Sequence, residues 1–473
     1  MDEWDVPGVA IGVVKDGRLV FAKGYGVREK GRSEPVDADT VFAVGSITKS
    51  FTAAAIGLLV QEGELGWDDR LSRWLPELQL ADACASREAT IRDALCHRTG
   101  LPELGGDFVA YASSYSRAEL VRRVRFIPPA SGFRSGFGYS NQMYVALGEV
   151  VARAGGSSWD DLVRERFFAP LEMTRSATRL DDIRSWPNTA SAHARIDGRI
   201  RPLPARDFGN LAPAAGVYST VKDLAAWARL LLADGELDGR RILARATIDE
   251  TRVPHTAIRM GDEEHALYPW RHFSAYGLGW FLEDCHGRLV LMHGGGIVGM
   301  RVRLALVPEE KLAVIVLSNL GRQSLHTALA YRVLEAYFGV PATDWSAFYR
   351  RRALEREGRE AVERQAFERG RQADAPTSLP LARFAGAYAS EHYGSVRVSE
   401  AEGGLTLTLD PRPDLSARLE HWQQDTFRVI WSDPVLGHGF TTFRLRDGVL
   451  KFSLRGRPGG LDPLEYRFVR QGP

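Results

Sequence analysis

The segment VGSITKSF, residues 44–51, places a serine and a lysine three positions apart at the start of an apolar stretch with helical spacing. Positions i and i+3 lie on one face of a helix, so the amine of Lys49 can reach the hydroxyl of Ser46. A neutral lysine can accept the serine proton and so turn the hydroxyl into a nucleophile. Burial and the positive end of a helix lower the pKa of a lysine from about 10.4 toward neutrality. The segment therefore predicts a nucleophile and its base, with Ser46 also capping the helix.

A second Ser-x-x-Lys pattern, at residues 219–222, shows that the spacing alone is weak evidence. Thr220 stands three residues before Asp223 at the head of an amphipathic stretch, which is the arrangement of a helix cap. We interpret this second copy as structural. The first copy needs the support of other motifs before it can be assigned to catalysis.

Two more short motifs carry groups suited to proton transfer and substrate binding. Tyr139-Ser-Asn141 stands just ahead of another apolar helical stretch, and the alternative interpretation is a helix cap beside a packed tyrosine. His293-Gly-Gly295 follows a strand-like segment, and its run of consecutive glycines indicates a close approach of a ligand to the backbone. A lone histidine is more often packed than functional, and His-x-Gly recurs at residues 392–394.

The elements that must position these motifs follow from the hydrophobic pattern. Residues 8–26 predict a hairpin that turns at Asp16-Gly17. Helical segments after Ser46 and over residues 219–237 precede strand-like segments between residues 288 and 318. Strands at both ends with helices between them predict an α+β fold, in which one antiparallel sheet is flanked by helices and carries a helical subdomain.

The remainder of the chain has a different pattern. Residues 341–378 are highly charged with sparse apolar positions, and they predict a solvated linker helix. From residue 379 to residue 473, short strand-like runs alternate with turns, which is typical of a small antiparallel barrel. The predicted domains are therefore residues 1–340, the linker 341–378 and the barrel 379–473.

Composition excludes several classes of function. The formal net charge is +1 over 473 residues, so neither a nucleic acid nor an anionic membrane is predicted as a partner. No apolar run reaches the ~18 residues that span a bilayer, and no signal peptide precedes Val6. As written, the sequence predicts a cytoplasmic protein; a trimmed N-terminus would make it periplasmic or secreted. The three cysteines form no Cys-x-x-Cys, and neither a metal nor a cofactor is predicted.

In this order, Ser-x-x-Lys, Tyr-x-Asn and His-x-Gly resemble the motifs of the serine β-lactamase and penicillin-binding-protein-like family, in its class C branch. Further matching segments are LCHRTGL at 95–101, PLEMTRSAT at 170–178 and YGLGW at 276–280. The resemblance covers roughly residues 4–338 and implies a β-lactamase/transpeptidase-like fold. The last domain resembles the lipocalin-like domain that is appended to many such hydrolases.

The resemblance implies a role for each residue of the first two motifs. Ser46 is the nucleophile that becomes acylated, and Lys49 is its base partner. Tyr139 shuttles a proton toward the leaving group, and Asn141 binds an amide or carbonyl of the substrate. Whether the lysine or the tyrosine takes the first proton is left open by the sequence.

The third motif is implied to bind substrate and to hold the oxyanion. The backbone N–H groups of Ser46 and Gly296 form the oxyanion hole, next to Gly295. His293 stands where the β-lactamases of this branch have lysine, and this histidine resembles that of the D-aminopeptidases and DD-peptidases of the family. A histidine has a reference pKa near 6.5. It would bind a substrate carboxylate if charged, or only hydrogen-bond within the site if neutral.

The leading hypothesis is a metal-free serine hydrolase that acts through an acyl-enzyme on a small peptide, amide or ester, with D-amino-acid-containing peptides as favoured substrates. A promiscuous carboxylesterase or a weak β-lactamase on the same site is the alternative. A zinc hydrolase and a non-catalytic scaffold are more distant, and the scaffold has no need of intact Ser46, Lys49 and Tyr139. A homo-oligomer is compatible with the sequence.

Overall fold

The computed structural model of the chain describes residues 1–401, 404–455 and 462–472. A mixed α/β region extends to Phe338, an all-β region begins at Gly386, and a long helix lies between them. Within these described ranges, no helix has both the length and the apolar content that crossing a membrane requires.

The α-helices of the described residues are α1 Thr48–Gln61, α2 Leu71–Trp74, α3 Ala83–Glu88, α4 Ile91–Leu95, α5 Asp107–Tyr111, α6 Arg117–Arg123, α7 Asn141–Gly155, α8 Trp159–Val163, α9 Leu180–Ile183, α10 Ala212–Ala215, α11 Val221–Leu232, α12 Arg245–Thr251, α13 Asp262–Leu267, α14 Leu325–Phe338 and α15 Trp345–Arg369.

The strands of the α/β region are β1 Gly8–Lys15, β2 Arg18–Gly26, β3 Phe42–Ala43, β4 His193–Ile196, β5 Arg199–Pro202, β6 Tyr218–Ser219, β7 Glu236–Leu237, β8 Arg240–Arg241, β9 Thr256–Ala257, β10 Ser274–Tyr276, β11 Phe281–Cys285, β12 Arg288–Ile297, β13 Met300–Val307 and β14 Leu312–Ser318. Those of the all-β region are β15 Gly386–Ser390, β16 Gly394–Ala401, β17 Gly404–Leu409, β18 Arg412–Gln423, β19 Thr426–Trp431, β20 His438–Thr442, β21 Arg444–Arg446, β22 Val449–Arg455 and β23 Glu465–Arg470.

The first and last strands of the α/β region meet inside one antiparallel sheet. Its eight strands follow the order β2-β1-β14-β13-β12-β11-β10-β9, and β1 pairs with β14 from Val9↔Ser318 to Lys15↔Leu312. Strand β14 is buried along its whole length because α11 packs on one face of the sheet and α14 on the other. A strand covered on both faces consists of a continuous apolar run, as here. The predicted α+β fold is confirmed.

Helix α1 is the central helix of the helical subdomain. It contacts α7, α8, α10 and α12, and 12 of its 14 residues are buried. A helix that is apolar on all sides belongs in the interior of a protein. Because Lys49 is the second residue of α1, the same packing removes its amine from water, and the residue is 0% exposed.

The all-β region is a nine-stranded antiparallel sheet that nearly closes into a barrel. Its order is β20-β19-β18-β17-β16-β15-β23-β22-β21. Across the remaining gap the hydroxyl of Thr441 donates to the carbonyl of Ser453 over 2.8 Å. Phe427, Phe443 and Phe452 are buried against one another and fill the interior. The predicted all-β barrel is confirmed.

Helix α15 connects the two regions. Asp344 caps it by accepting the backbone N–H of Ala347 over 2.9 Å, and Trp345 is its only buried residue. At its other end Phe367 stacks on the barrel, with its ring centroid 4.5 Å from that of Phe440 and 6.0 Å from that of Trp422. The helix is thus attached to the α/β region at its start and to the barrel at its end.

Candidate active site

Ser46 lies in a 3-10 turn, Gly45–Ile47, that continues directly into α1. The prediction that Ser46 caps this helix is wrong, because no side chain caps the turn or the helix. A capping serine needs an extended backbone ahead of the first turn, whereas here the turn has already begun at Gly45. The hydroxyl of Ser46 is therefore not used in a cap, and the residue remains partly exposed.

The ammonium group of Lys49 is surrounded by three oxygen atoms. Its Nζ lies 2.6 Å from Oδ1 of Asn141, 2.9 Å from the carbonyl oxygen of Ala214 and 3.3 Å from Oγ of Ser46. The ring centroids of two tyrosines lie 4.6 and 5.1 Å from the same nitrogen. Burial lowers the pKa of Lys49 to about 7, and the nearby carboxylate of Asp107 opposes part of this shift.

The neighbours of Lys49 fix the direction of its lone pair. In the neutral amine the two hydrogens donate to Asn141 and Ala214, whose oxygen atoms can only accept. The lone pair then faces the third neighbour, the hydroxyl of Ser46. A general base must lie within hydrogen-bonding reach of the proton that it removes, and Nζ of Lys49 lies 3.3 Å from Oγ of Ser46.

The Tyr-x-Asn motif both caps a helix and contributes side chains to the candidate site. Ser140 caps α7 by accepting the backbone N–H of Met143 over 3.3 Å, so the structural interpretation holds for the middle residue. The cap places Tyr139 and Asn141 on either side of it, and both reach the site. Tyr139 is buried and hydrogen-bonds to Ser46; burial raises the pKa of its phenol far above 10. The phenol is therefore protonated at neutral pH.

His293 is buried and fully engaged within the site. Its Nδ1 lies 2.7 Å from the carbonyl oxygen of Gly294, so Nδ1 carries the hydrogen and donates. Its Nε2 then accepts from the hydroxyl of Tyr276 over 3.0 Å. Burial, together with the charge of Lys49, lowers the pKa of His293 to about 3. This environment agrees with the neutral alternative and not with a charged histidine that binds a carboxylate.

The glycine run lies against the turn that carries Ser46. Strand β11 pairs with β12 only as far as Phe281↔Met292, so the following residues of β12 pair on one side alone, with β13. A Cβ atom at Gly295 would lie 2.0 Å from the carbonyl oxygen of Val44, and one at Gly45 would lie 3.0 Å from the nitrogen of Gly296. Only glycine allows this approach, which brings the two backbone segments of the predicted oxyanion hole together.

The structure thus brings all seven predicted site residues to one place, and it adds others that the motifs did not identify. Asp107 accepts a hydrogen bond from Nδ2 of Asn141 over 2.7 Å. Ala214 contributes only a backbone carbonyl, and Tyr276 orients His293. Tyr276 lies in the segment YGLGW of the family resemblance, whereas nothing in the sequence distinguishes Asp107 from other aspartates. No group of three or more His, Cys, Asp or Glu side chains within the described residues is arranged to hold a metal.

Comparison with known families assigns this arrangement to a class. The family model described as Beta-lactamase matches residues 1–338, so the chain belongs to the β-lactamase family. A model described as a domain of unknown function (DUF3471) matches residues 370–463. The protein is a serine hydrolase of the β-lactamase and penicillin-binding-protein type.

Particular relatives lie at a considerable distance in sequence. "Unguisins hydrolase ungD'" of Aspergillus campestris is 29% identical over 408 residues, which cover 82% of this chain and 73% of that protein. The octameric penicillin-binding protein homologue from Pyrococcus abyssi has a TM-score of 0.63 at 22% identity, covering 99% of this chain and 97% of that chain. The D-stereospecific amidohydrolase from Streptomyces sp. has a TM-score of 0.56 at 24% identity, covering 71% of this chain and 94% of that chain. These two structures share the fold.

Proposed function

We propose that the chain hydrolyses the amide bond of small D-amino-acid-containing peptides or amides through an acyl-enzyme on Ser46. The observation that carries this proposal is the environment of Lys49: a buried amine with a pKa of about 7, two acceptors for its hydrogens and the Ser46 hydroxyl opposite its lone pair. A lysine of ordinary pKa would be protonated at neutral pH and could not act as a base.

Acylation begins when neutral Lys49 removes the proton of Ser46. The serine oxygen attacks the scissile carbonyl, and the resulting oxyanion is held by the backbone N–H groups of Ser46 and Gly296. Tyr139 then donates its phenolic proton to the leaving amine, and the proton that Lys49 took from the serine replaces it. The C–N bond breaks, and the ester of Ser46 remains. Lys49 rather than Tyr139 is the first base, since the phenol is protonated at neutral pH.

Deacylation runs through the same groups in the opposite order. A water molecule takes the place of the departed amine and loses a proton to Tyr139, which passes its own phenolic proton to neutral Lys49. Its oxygen attacks the ester carbonyl, the same N–H groups hold the second oxyanion, and the serine oxygen recovers its proton as the acid leaves. Asn141 holds Lys49 through its Oδ1 in both halves of the reaction.

The neutral state of His293 bears on the choice of substrate. A lysine at this position would offer a permanent cation to the carboxylate of a β-lactam, whereas burial lowers the pKa of His293 to about 3 and leaves it uncharged at neutral pH. We therefore favour an amidase or aminopeptidase, whose substrates need no carboxylate next to the scissile bond, over a β-lactamase. The fold shared with a D-stereospecific amidohydrolase supports the preference for D-amino acids.

The oligomeric state is a separate part of the proposal. The similar protein from Pyrococcus abyssi is octameric and matches this chain over 99% of its length, barrel included. This supports a homo-oligomer here, which sedimentation velocity will reveal. A monomer at all concentrations would contradict it.

A substrate panel tests the proposed reaction. Anilides of D- and L-amino acids, nitrophenyl esters and a cephalosporin are compared, and we expect kcat/KM to be highest for a D-amino-acid anilide. A fluorophosphonate should add mass to Ser46, and Ser219 serves as the internal control because it belongs to the second Ser-x-x-Lys pattern. Labelling of Ser219 on active protein would overturn the site, and a preference for esters alone would replace the amidase by a carboxylesterase.

The charge of His293 is tested with the same panel. For a neutral imidazole, the ratio of kcat/KM between a carboxylate-bearing anilide and its methyl amide should stay constant from pH 6 to pH 8, within about twofold. A ratio that falls as the pH rises would show that a charged His293 binds the carboxylate.

A further inference from the structure

The barrel docks on the helical subdomain around the short helix α5. The carboxylate of Asp462 accepts the backbone N–H of Phe108 over 2.7 Å. Further along the same segment, the hydroxyl of Tyr115 donates to the carbonyl of Tyr393 over 3.0 Å, and the N–H of Ser114 donates to that of Pro411 over 2.9 Å. One face of the barrel is thus bound to the segment that begins with α5.

The side chain of Phe108 is held in an aromatic cluster that belongs to the barrel. Its ring centroid lies 5.4 Å from that of Tyr466, 5.7 Å from that of Tyr393 and 5.8 Å from that of Trp431. Phe108 is 2% exposed, and aromatic pairs at these distances stabilise a contact beyond the area that they bury. The barrel therefore holds both the backbone and the side chain of this residue.

Asp462 is itself fixed within the barrel. It is 3% exposed and accepts hydrogen bonds from the hydroxyl of Tyr466 over 2.7 Å and from the N–H of Leu464 over 3.0 Å. Burial raises the pKa of this carboxyl. Because the region is poor in water, the hydrogen-bond donors of the protein hold the carboxyl in place.

The residue before Phe108 belongs to the candidate active site. Asp107 accepts from Nδ2 of Asn141 over 2.7 Å, and Oδ1 of that asparagine accepts from Lys49 over 2.6 Å. A continuous series of contacts therefore runs from Asp462 of the barrel through the start of α5 to the amine of Lys49.

Helix α5 depends on such contacts for its position. It has only five residues, too few to be stable by itself, and it follows Gly106, whose φ of 88° gives the chain a sharp change of direction. The subdomain holds this turn through Nε2 of Gln142, which donates to the carbonyl of Gly106 over 3.1 Å. Beyond the turn, the barrel holds Phe108 through both its backbone N–H and its ring.

We propose that the C-terminal barrel positions the catalytic lysine, with Asp462 and Phe108 fixing α5 so that Asp107 holds Asn141 against Lys49. Asp107, Phe108 and Asp462 are positioning residues in this scheme, and they touch no reacting atom. The inference rests on the proposed function, because it takes Lys49 to be the base.

Loss of the barrel contact has a defined electrostatic consequence. The carboxylate of Asp107 raises the pKa of Lys49, so moving it away lowers that pKa further below about 7. The base acts only when neutral, so kcat/KM rises with pH through the pKa of Lys49. A lower pKa moves this rise to lower pH. At the same time Asn141 loses its partner, and the misplaced amine makes kcat fall.

The test compares full-length variants on the preferred substrate of the panel. Asp462→Ala should lower kcat by about 10-fold to 100-fold with little change in KM, and should move the acid side of the kcat/KM profile to lower pH. Asp462→Asn keeps one oxygen that can accept from Phe108 but turns its amide nitrogen toward the N–H of Leu464, so it should restore part of the activity. Ser114→Ala is the matched control, since it removes another interdomain hydrogen bond, to the carbonyl of Pro411 over 2.6 Å, and should change neither quantity.

A double substitution separates positioning from a general loss of stability. Asp107→Asn should show the same shift of the pH profile, and Asp462→Ala should add little to it, because both act through one series of contacts. Unchanged kcat and pH profile in folded Asp462→Ala would overturn the proposal, as would fully additive effects. Failure of the proposed function would appear elsewhere, as retained activity in Ser46→Ala.

Discussion

The segments 46–49 and 219–222 contain the same Ser-x-x-Lys pattern in opposite surroundings. In the first, Lys49 is 0% exposed and Ser46 starts a helical turn, so the two side chains lie 3.3 Å apart. In the second, the serine ends strand β6, its hydroxyl is 2.8 Å from that of Ser176, and Lys222 is exposed and pairs with Asp39 over 2.6 Å. Position in the helix and burial, rather than residue type, therefore distinguish the candidate base Lys49 from Lys222.

The largest difference between the two segments should appear when each serine is removed. Ser46→Ala should lower kcat/KM by about 10⁴-fold or more, because the nucleophile is lost. Ser219→Ala removes a partly buried hydrogen bond to Ser176 and should leave kcat/KM within about twofold, with a modest loss of stability. Steady-state kinetics on folded proteins measure both effects. Equal losses of activity would show that Ser46 is not distinguished from Ser219 as the nucleophile.

Removal of each lysine should give the next largest difference, and it carries a pH signature. Lys49→Met should lower kcat/KM by about 10³-fold. In the native protein kcat/KM should rise about tenfold between pH 6 and pH 8, since Lys49 loses its proton with a pKa of about 7. Lys222→Met should leave both the rate and this rise unchanged. A native profile that is flat across this range would show that Lys49 does not act as the base.

The two lysine substitutions should also differ in their effect on stability: Lys49→Met should stabilise the fold, and Lys222→Met should change its stability little. Burying a cation that must lose its proton destabilises the fold, so Lys49→Met should raise the free energy of unfolding near neutral pH. The exposed pair of Lys222 with Asp39 contributes little, and its loss should change stability by less than about 1 kcal/mol. Urea denaturation of the two variants measures this, and a destabilised Lys49→Met would mean that the lysine is held mainly by favourable contacts.

The smallest effect concerns the cap in the second segment. The hydroxyl of Thr220 accepts the N–H of Asp223 over 3.1 Å at the start of α11. Thr220→Ala should therefore lower the free energy of unfolding by about 1 kcal/mol and leave kcat/KM unchanged. Thermal or urea denaturation is the measurement, and a change in kcat without a change in stability would give this segment a functional role.

Local patterns predicted well those features that depend on neighbours in sequence. The Asp16-Gly17 turn has φ angles of 50° and 74°, as a tight hairpin needs, and Thr220 caps α11 as its spacing indicates. The predicted cap at Ser46 is wrong because a contact with a distant strand bears on this turn. A 3-10 turn begins one residue earlier at Gly45, whose φ of 53° follows from its packing against the glycine run of β12.

Features that arise between distant segments were beyond prediction from one sequence. Asp107 reaches the site from α5, whose residues contact both α7 and the barrel, and the carbonyl of Ala214 has no side-chain signal at all. The neutrality of His293 depends on burial and on Tyr276, which approaches from another strand. The family motifs identified which residues meet, whereas their charge states required the surrounding structure.

Helix α15 has a further consequence for the strength of the interface between the two regions. With 25 residues it spans about 37 Å, and it is attached by Trp345 at one end and by Phe367 at the other. A tether of fixed length keeps the barrel near its docking surface and so raises its effective concentration there. The contacts with α5 therefore need only modest intrinsic affinity. A barrel supplied as a separate chain would have to reach comparable concentrations to occupy the same surface.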